Sequence, residues 1–154
     1  MIDLLQLAAF NAAYADVIDS DALEQWPDFF TPQCNYKVTN AENQRDGLAA
    51  GLVWADSRDM LKDRVSALRE ANIYERQSYR HLLGIPLVVS STETTAQART
   101  PFMVARIMHT GETSVFATGV YLDRYAIHEG KLLLSERIAV CDSTVIDTLL
   151  ALPL

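Results

Sequence analysis

Apolar positions along the chain change period once, near residue 73. From Leu4 to Ile18, the residues Leu7, Phe10, Tyr14 and Val17 recur at helical spacing among alanines, predicting a helix. Asp19-Ser20-Asp21 interrupts it and offers a new N-cap. Ala22 to Trp26 reads as a short second helix with Pro27 near its end, and Pro32 signals a turn. Cys34 to Thr39 alternates as a strand does, and Asn40 to Gln44 is polar enough for a loop. Ala50 to Ala55 fits either a short strand or a loop. Asp56-Ser57 then caps a helix from about Arg58 to Arg69, with Leu61, Val65 and Leu68 as its stripe and Asn72 as its end.

Beyond this point the period is two. Ile73–Leu83 and Leu87–Thr92 are candidate strands, followed by three long ones at Thr95–His109, Thr113–Ile127 and Leu132–Asp142. Thr110-Gly111-Glu112 and His128-Glu129-Gly130 join the long strands with hairpin chemistry. Helices first and an antiparallel meander afterwards is an α+β pattern. Strands of this length twist and curl, so the expected fold is a curved antiparallel sheet wrapped around N-terminal helices, a half-open cone. No repeat or linker divides residues 1–154, and one domain is expected.

Composition narrows the function. With 13 basic and 20 acidic residues, a net charge of −7 disfavours binding to nucleic acid or to an anionic membrane. No apolar run approaches the ~18 residues of a membrane span, and Met1-Ile2-Asp3 does not open like a signal peptide. A cytoplasmic protein with reduced, buried Cys34 and Cys141 is the expectation; a disulfide between them is the alternative.

Candidate chemistry is sparse. The two cysteines are isolated, and His81, His109 and His128 lie on separate predicted strands or turns, so the spacing of a Rieske cluster or of an iron triad is not seen. No nucleophile elbow or phosphate loop occurs. Acid–base work inside the cone could use Tyr14, Asp16, Tyr36, His81 or Asp142, although Tyr14 sits on the apolar stripe of its helix and reads as core. Arg76, Arg80, Arg106, Arg124 and Arg137 fall in predicted strands and alternate with apolar residues, as in Tyr121-Leu122-Asp123-Arg124-Tyr125. Such a face is either solvated or a partner surface rich in Arg and Tyr. The apolar stretch from Asp147 to Leu154 must pack on its own domain or on a neighbouring chain. The candidate interface residues are therefore Arg76, Arg80, His81, Tyr121, Arg124, Tyr125, Leu152 and Leu154.

Several segments together resemble one family. They are Ala12-Ala13-Tyr14-Ala15, Tyr79-Arg80-His81, Phe116-Ala117-Thr118-Gly119-Val120-Tyr121-Leu122-Asp123, Leu134 through Asp142, and Leu152-Pro153-Leu154. In this order they resemble the small, or beta, subunits of aromatic-ring-hydroxylating (Rieske non-haem iron) dioxygenases over the whole length. Ile18 through Ala22, Glu24 through Pro27, Arg69 through Arg76 and Arg106 through Glu112 are most similar to the terephthalate dioxygenase branch, with salicylate- and anthranilate-type enzymes next. The resemblance implies a nuclear-transport-factor-2-like cone. It implies a large partner subunit carrying the Rieske iron–sulfur cluster and the non-haem iron, in an assembly of three large and three small subunits. A separate reductase would supply electrons from NAD(P)H. The resemblance brings no catalytic, cofactor-binding or metal-binding residue to this chain and implies a structural, assembling role. The reading from a different class is a free-standing cone-fold isomerase or dehydratase with His81 or Asp16 as general base.

Overall fold

A computed structural model describes residues 1–47, 53–71, 76–143 and 152–154. The first helix, α1 (Leu4–Asp19), is started by a capping box. The Asp3 side chain accepts from the Gln6 amide, and the Gln6 side chain accepts from the Asp3 amide, both at 2.8 Å. Its stripe buries Leu7, Tyr14 and Ile18, with Asn11 on the same face. A 3-10 helix, Leu23–Phe29, follows and contains Pro27 rather than ending at it.

Strand β1 (Phe30–Asn40) starts earlier than the alternation suggested, because Pro32 sits in an exposed irregular stretch of the strand where a proline's missing N–H does no harm. The expected loop after it is a one-turn helix, α2 (Ala41–Arg45), capped by the Asn40 side chain. Strand β2 (Val53–Ser57) settles the ambiguous segment, of which residues 50–52 lie outside the described residues. The Ser57 hydroxyl accepts from the Met60 amide and opens α3 (Arg58–Ala71). Arg69 ties α3 to the 3-10 turn through Asp21 at 2.9 Å and Glu24 at 2.7 Å.

The remaining strands are β3 (Gln77–Leu83), β4 (Leu87–Ser91), β5 (Thr95–Met108), β6 (Thr113–His128) and β7 (Lys131–Cys141). Residues 73–75 of the first expected strand lie outside the described residues, as do 147–151 of the apolar tail. The β6–β7 turn takes positive φ at both central residues, Glu129 (50°) and Gly130 (80°), the geometry a tight hairpin needs.

The sheet runs β2-β1-β7-β6-β5-β3, with β4 also paired to β5. The expectation of a wholly antiparallel sheet is corrected in one place: β1 pairs β7 in parallel, from Asn35↔Glu136 to Asn40↔Cys141. A tight hairpin enforces antiparallel neighbours only between consecutive strands. β1 precedes a helix, and its partner is the free edge left by the distant meander. Register shifts in β1, β4, β5 and β6 bend the sheet around α1 and the 3-10 helix.

Candidate functional site

The concave face of the sheet is set by strand period. On β6, Ala117, Gly119, Tyr121, Asp123 and Tyr125 point inward, and Val120, Leu122 and Arg124 point outward. Asp123 pairs directly with Arg137 on β7. Both side chains are fully buried and form a two-pronged bond, Nε to Oδ1 and Nη2 to Oδ2, each 2.8 Å. Nη2 also donates to Asn11 Oδ1 at 2.6 Å, and the Tyr125 hydroxyl lies 2.9 Å from the same oxygen. The guanidinium is sandwiched between aromatic faces, 4.3 Å from the Tyr14 centroid and 4.0 Å from that of Tyr121. Burial by itself would lower the arginine's pKa; the Asp123 charge and hydrogen bonds reverse this and raise it well above the ordinary value.

Next to this cluster the chain's own end enters the cone. Leu152 and Leu154 are buried. A backbone oxygen of Leu154, the last residue of the sequence, accepts from Tyr14 Oη at 2.9 Å and from Tyr36 Oη at 3.1 Å, while Trp26 Nε1 donates to Tyr14 Oη at 3.0 Å. Burial pushes the phenols of Tyr14, Tyr36, Tyr121 and Tyr125 above their usual pKa, so they stay protonated donors.

His81 on β3 faces α1. Its Nδ1 lies 2.7 Å from Asp19 Oδ1, and its backbone N–H donates to Asp19 Oδ2 at 2.8 Å. The ring is wholly buried, and Nε2 has no hydrogen-bond partner. A cleft of about 460 Å³ beside it is lined by Asp16, Asp19, Arg80, His81 and the Gly84–Pro86 turn. The carboxylate that engages His81 is thus Asp19, not Asp16. Asp142, the other acidic candidate, accepts from Thr118 at 2.9 Å at the exposed end of the sheet.

The convex face is apolar at one end and charged at the other. Leu82 pairs with Met103, and Ala105 with Val115, all pointing outward. Leu82 is 59% exposed, Met103 40% and Val115 63%. Val120, Val140, Leu122 and Ile138 continue the strip, half-buried, across β6 and β7. It ends at Arg99, Gln97 and the Arg124–Glu136 pair (3.2 Å). A contiguous apolar patch on a soluble surface marks a contact site.

The chain matches the SnoaL-like domain family over residues 1–138. It is 68% identical over all 154 residues of both chains to the beta 1 subunit of the terminal oxygenase component of terephthalate 1,2-dioxygenase from a Comamonas species. This chain is a beta subunit of the aromatic-ring-hydroxylating dioxygenase family. The small subunit of anthranilate 1,2-dioxygenase from Burkholderia cepacia is 33% identical over 141 residues, spanning 92% of this chain and 88% of that one. Among solved structures, a beta subunit assigned to such a dioxygenase in Novosphingobium aromaticivorans superposes with a TM-score of 0.90 at 37% identity, covering 98% of this chain and 96% of its own.

The structure redistributes the residues expected to form the beta subunit's partner surface. Tyr121 and Tyr125 are corrected to core positions, since inward and outward residues alternate and both share the face of Asp123. Arg137, expected on a solvated or partner face, is likewise buried. Leu152 and Leu154 pack inside their own cone, and His81 is buried against α1. Arg76, Arg80 and Arg124 remain on the surface. Apolar Leu82, Met103 and Val115 were not singled out; their alternation with the inward residues of β3, β5 and β6 was the available signal. Cys34 and Cys141 are free, buried thiols, pushed up to about 11 by burial. Among the described residues no cluster of three or more His, Cys, Asp or Glu could hold a metal ion, and no helix is long and apolar enough to cross a membrane.

Proposed function

We propose that the beta subunit is an assembly element of a terminal oxygenase that acts on an aromatic carboxylate, terephthalate first and an anthranilate- or salicylate-type acid next. The observation that carries the assembling role is the apolar convex strip running from Leu82 through Met103 to Leu122 and Ile138, rimmed by Arg99 and Arg124. Its partner is the large, alpha subunit, which holds the Rieske cluster and the mononuclear iron. A reductase drawing on NAD(P)H feeds electrons to that subunit, and three large and three small subunits form the particle. Identity to the Comamonas beta subunit over the full length of both chains supports the terephthalate assignment.

Docking would remove Leu82 and Met103 from water, and each such side chain contributes about 1.5–3 kcal/mol when fully buried. Arg80 and Arg124, exposed in the single chain, supply forked donors at the margin. Co-expression of the large subunit with a Leu82→Asp/Met103→Asp chain tests the assignment. The expected result is a folded beta chain that no longer co-purifies with its partner, read by native mass spectrometry. An unchanged hetero-oligomer would remove this face from the interface. Charge reversal at Arg80 and Arg124 is expected to weaken assembly further.

A further inference from the structure

One margin of the sheet stands open and lacks the charges that usually protect such a margin. β5 carries two strands end to end on the same side, β3 along residues 102–108 and β4 along residues 96–99. Neither pairs with a further strand among the described residues. The Asp19 carboxylate covers the free side of β3 at His81, where it accepts the backbone amide at 2.8 Å. Ile2 covers the far end of β4, its amide donating to the Thr92 oxygen at 3.0 Å. Between these two points the chain has no charged residue from Leu82 to Thr92. Its apolar side chains are exposed, Ile85 by 77% and Leu87 by 63%. An open apolar edge recruits another strand, and natural edges are therefore charged, interrupted or covered. The pairing pattern identifies the free groups. Gly84 donates to the Pro101 oxygen and Thr92 to the Thr95 oxygen, each at 2.8 Å. Bonded positions alternate in an antiparallel ladder, so Leu83, opposite Phe102, and Val88, opposite Ala98, turn amide and carbonyl to the open side.

We propose that the margin formed by Leu83 and β4 receives an extended, uncharged segment of the large subunit as an added strand, main chain to main chain. This rests on the assembly role proposed above and carries it from the convex face round to the sheet edge. Leu82 opens the uncharged stretch and also begins the apolar convex strip, so the two surfaces meet in one residue. A second copy of this chain fits less well. Each copy bears a net charge of −7, so two copies repel. Pairing β4 with its own copy also requires a two-fold axis, which three large and three small subunits around a three-fold axis do not provide. The five residues of β4 extend over about 17 Å, room for one short docked segment. Backbone bonds supply the affinity in this mode and alternate side chains the selectivity. The docked segment therefore places apolar residues over Ile85 and Leu87 and has no proline where it meets Val88.

Hydrogen exchange in the co-expressed complex of large and small subunits, compared with the beta chain alone, tests this. Exchange of the Leu83 and Val88 amides is expected to slow at least about tenfold in the complex. Equal exchange at both amides, in a complex that forms, overturns the proposal and leaves the convex strip standing. Slowing that arises in the beta chain alone as its concentration rises assigns the edge to a second copy and overturns it as well. Failure of any complex to form removes the assembly role and this proposal with it. Val88→Pro is the variant that isolates the backbone. The N–H it removes does not bond β5, so the ladder survives and the chain folds. It is expected to bind the large subunit at least about tenfold more weakly, whereas Val88→Ala, which keeps the amide, binds much as the native chain does. Native affinity of a folded Val88→Pro chain overturns the proposal; if the proline prevents folding, exchange in the unaltered complex decides. A Leu82→Asp/Met103→Asp chain that still assembles, with Leu83 and Val88 protected, would remove the convex strip and leave the edge as the interface.

Discussion

Asp123 and Arg137 stand directly opposite each other on β6 and β7 and meet through two 2.8 Å hydrogen bonds with neither side chain exposed. The network reaches α1 through Asn11: its Oδ1 takes a bond from Arg137, and its Nδ2 reaches Thr100 at 3.3 Å, while Arg137 Nη1 has no hydrogen-bond partner. The pair therefore links α1 to three strands of the sheet. A buried ion pair contributes little by comparison with an apolar replacement, yet breaking it leaves a lone charge in the core. Arg137→Met or Asp123→Asn alone is expected to lower unfolding stability by about 3–5 kcal/mol. Replacing both, with Asp123→Leu and Arg137→Met, should cost clearly less than the sum. Urea denaturation of the three variants measures this, and additive losses would show that the two residues are not coupled.

Alkaline pH should loosen the fold in two stages. Cys34 and Cys141 titrate near 9 when unfolded and are pushed up to about 11 in the fold by burial. Between these values the unfolded chain loses the protons first, so the stability held below pH 9 declines as pH rises towards 11. The buried tyrosines, also raised by desolvation, extend the loss to higher pH. Denaturation midpoints across this range should fall for the native chain. The early part of the decline should be shallower in a Cys34→Ala/Cys141→Ala chain.

Gly119 on β6 has no room for a side chain. A Cβ there would lie 2.1 Å from the Val140 carbonyl oxygen and 2.9 Å from the Phe102 ring. Backbone cannot give way as a flexible side chain can. Gly119→Ala is expected to cost at least about 1–3 kcal/mol and to weaken the β6–β7 hairpin. Faster amide exchange at Val120 and Val140, with α1 unaffected, would be its signature.

The Asp19–His81 contact pins the end of α1 to β3 through both the imidazole and the backbone amide of one residue. Asp19→Asn is expected to lower stability by about 1–3 kcal/mol, since a buried donor loses its charged acceptor. Turnover per assembled oxygenase should stay unchanged. A large loss of turnover with assembly and stability intact would instead revive the reading of His81 as a general base.

How much of this was legible beforehand can be followed residue by residue. The α1 stripe through Tyr14, the meander of three long strands and its turns were all written in local periodicity, and the structure places them within a few residues. Tyr121 and Tyr125 could have been placed inward by period alone, because they flank Asp123 at a spacing of two and must share its face. The obstacle was Asp123 itself and its partner Arg137. Charges suggest solvent until a counter-charge is known to lie opposite, and that partner is 14 residues away along the chain.

The sequence by itself determined the types of the long elements, the curled α+β cone and the family, since each rests on local spacing or on residues in fixed order, whereas the one-turn helix Ala41–Arg45 and the short strand Val53–Ser57 were not fixed by it. Tertiary structure alone decided that β1 runs parallel to β7, that an Asp–Arg pair lies in the core, and that Leu154 fills the interior between Tyr14 and Tyr36. These are pairings across 14 to 140 residues of chain. They depend on which surfaces remain unpaired after the local elements have formed, and no local pattern of hydrophobic and polar positions carries that information.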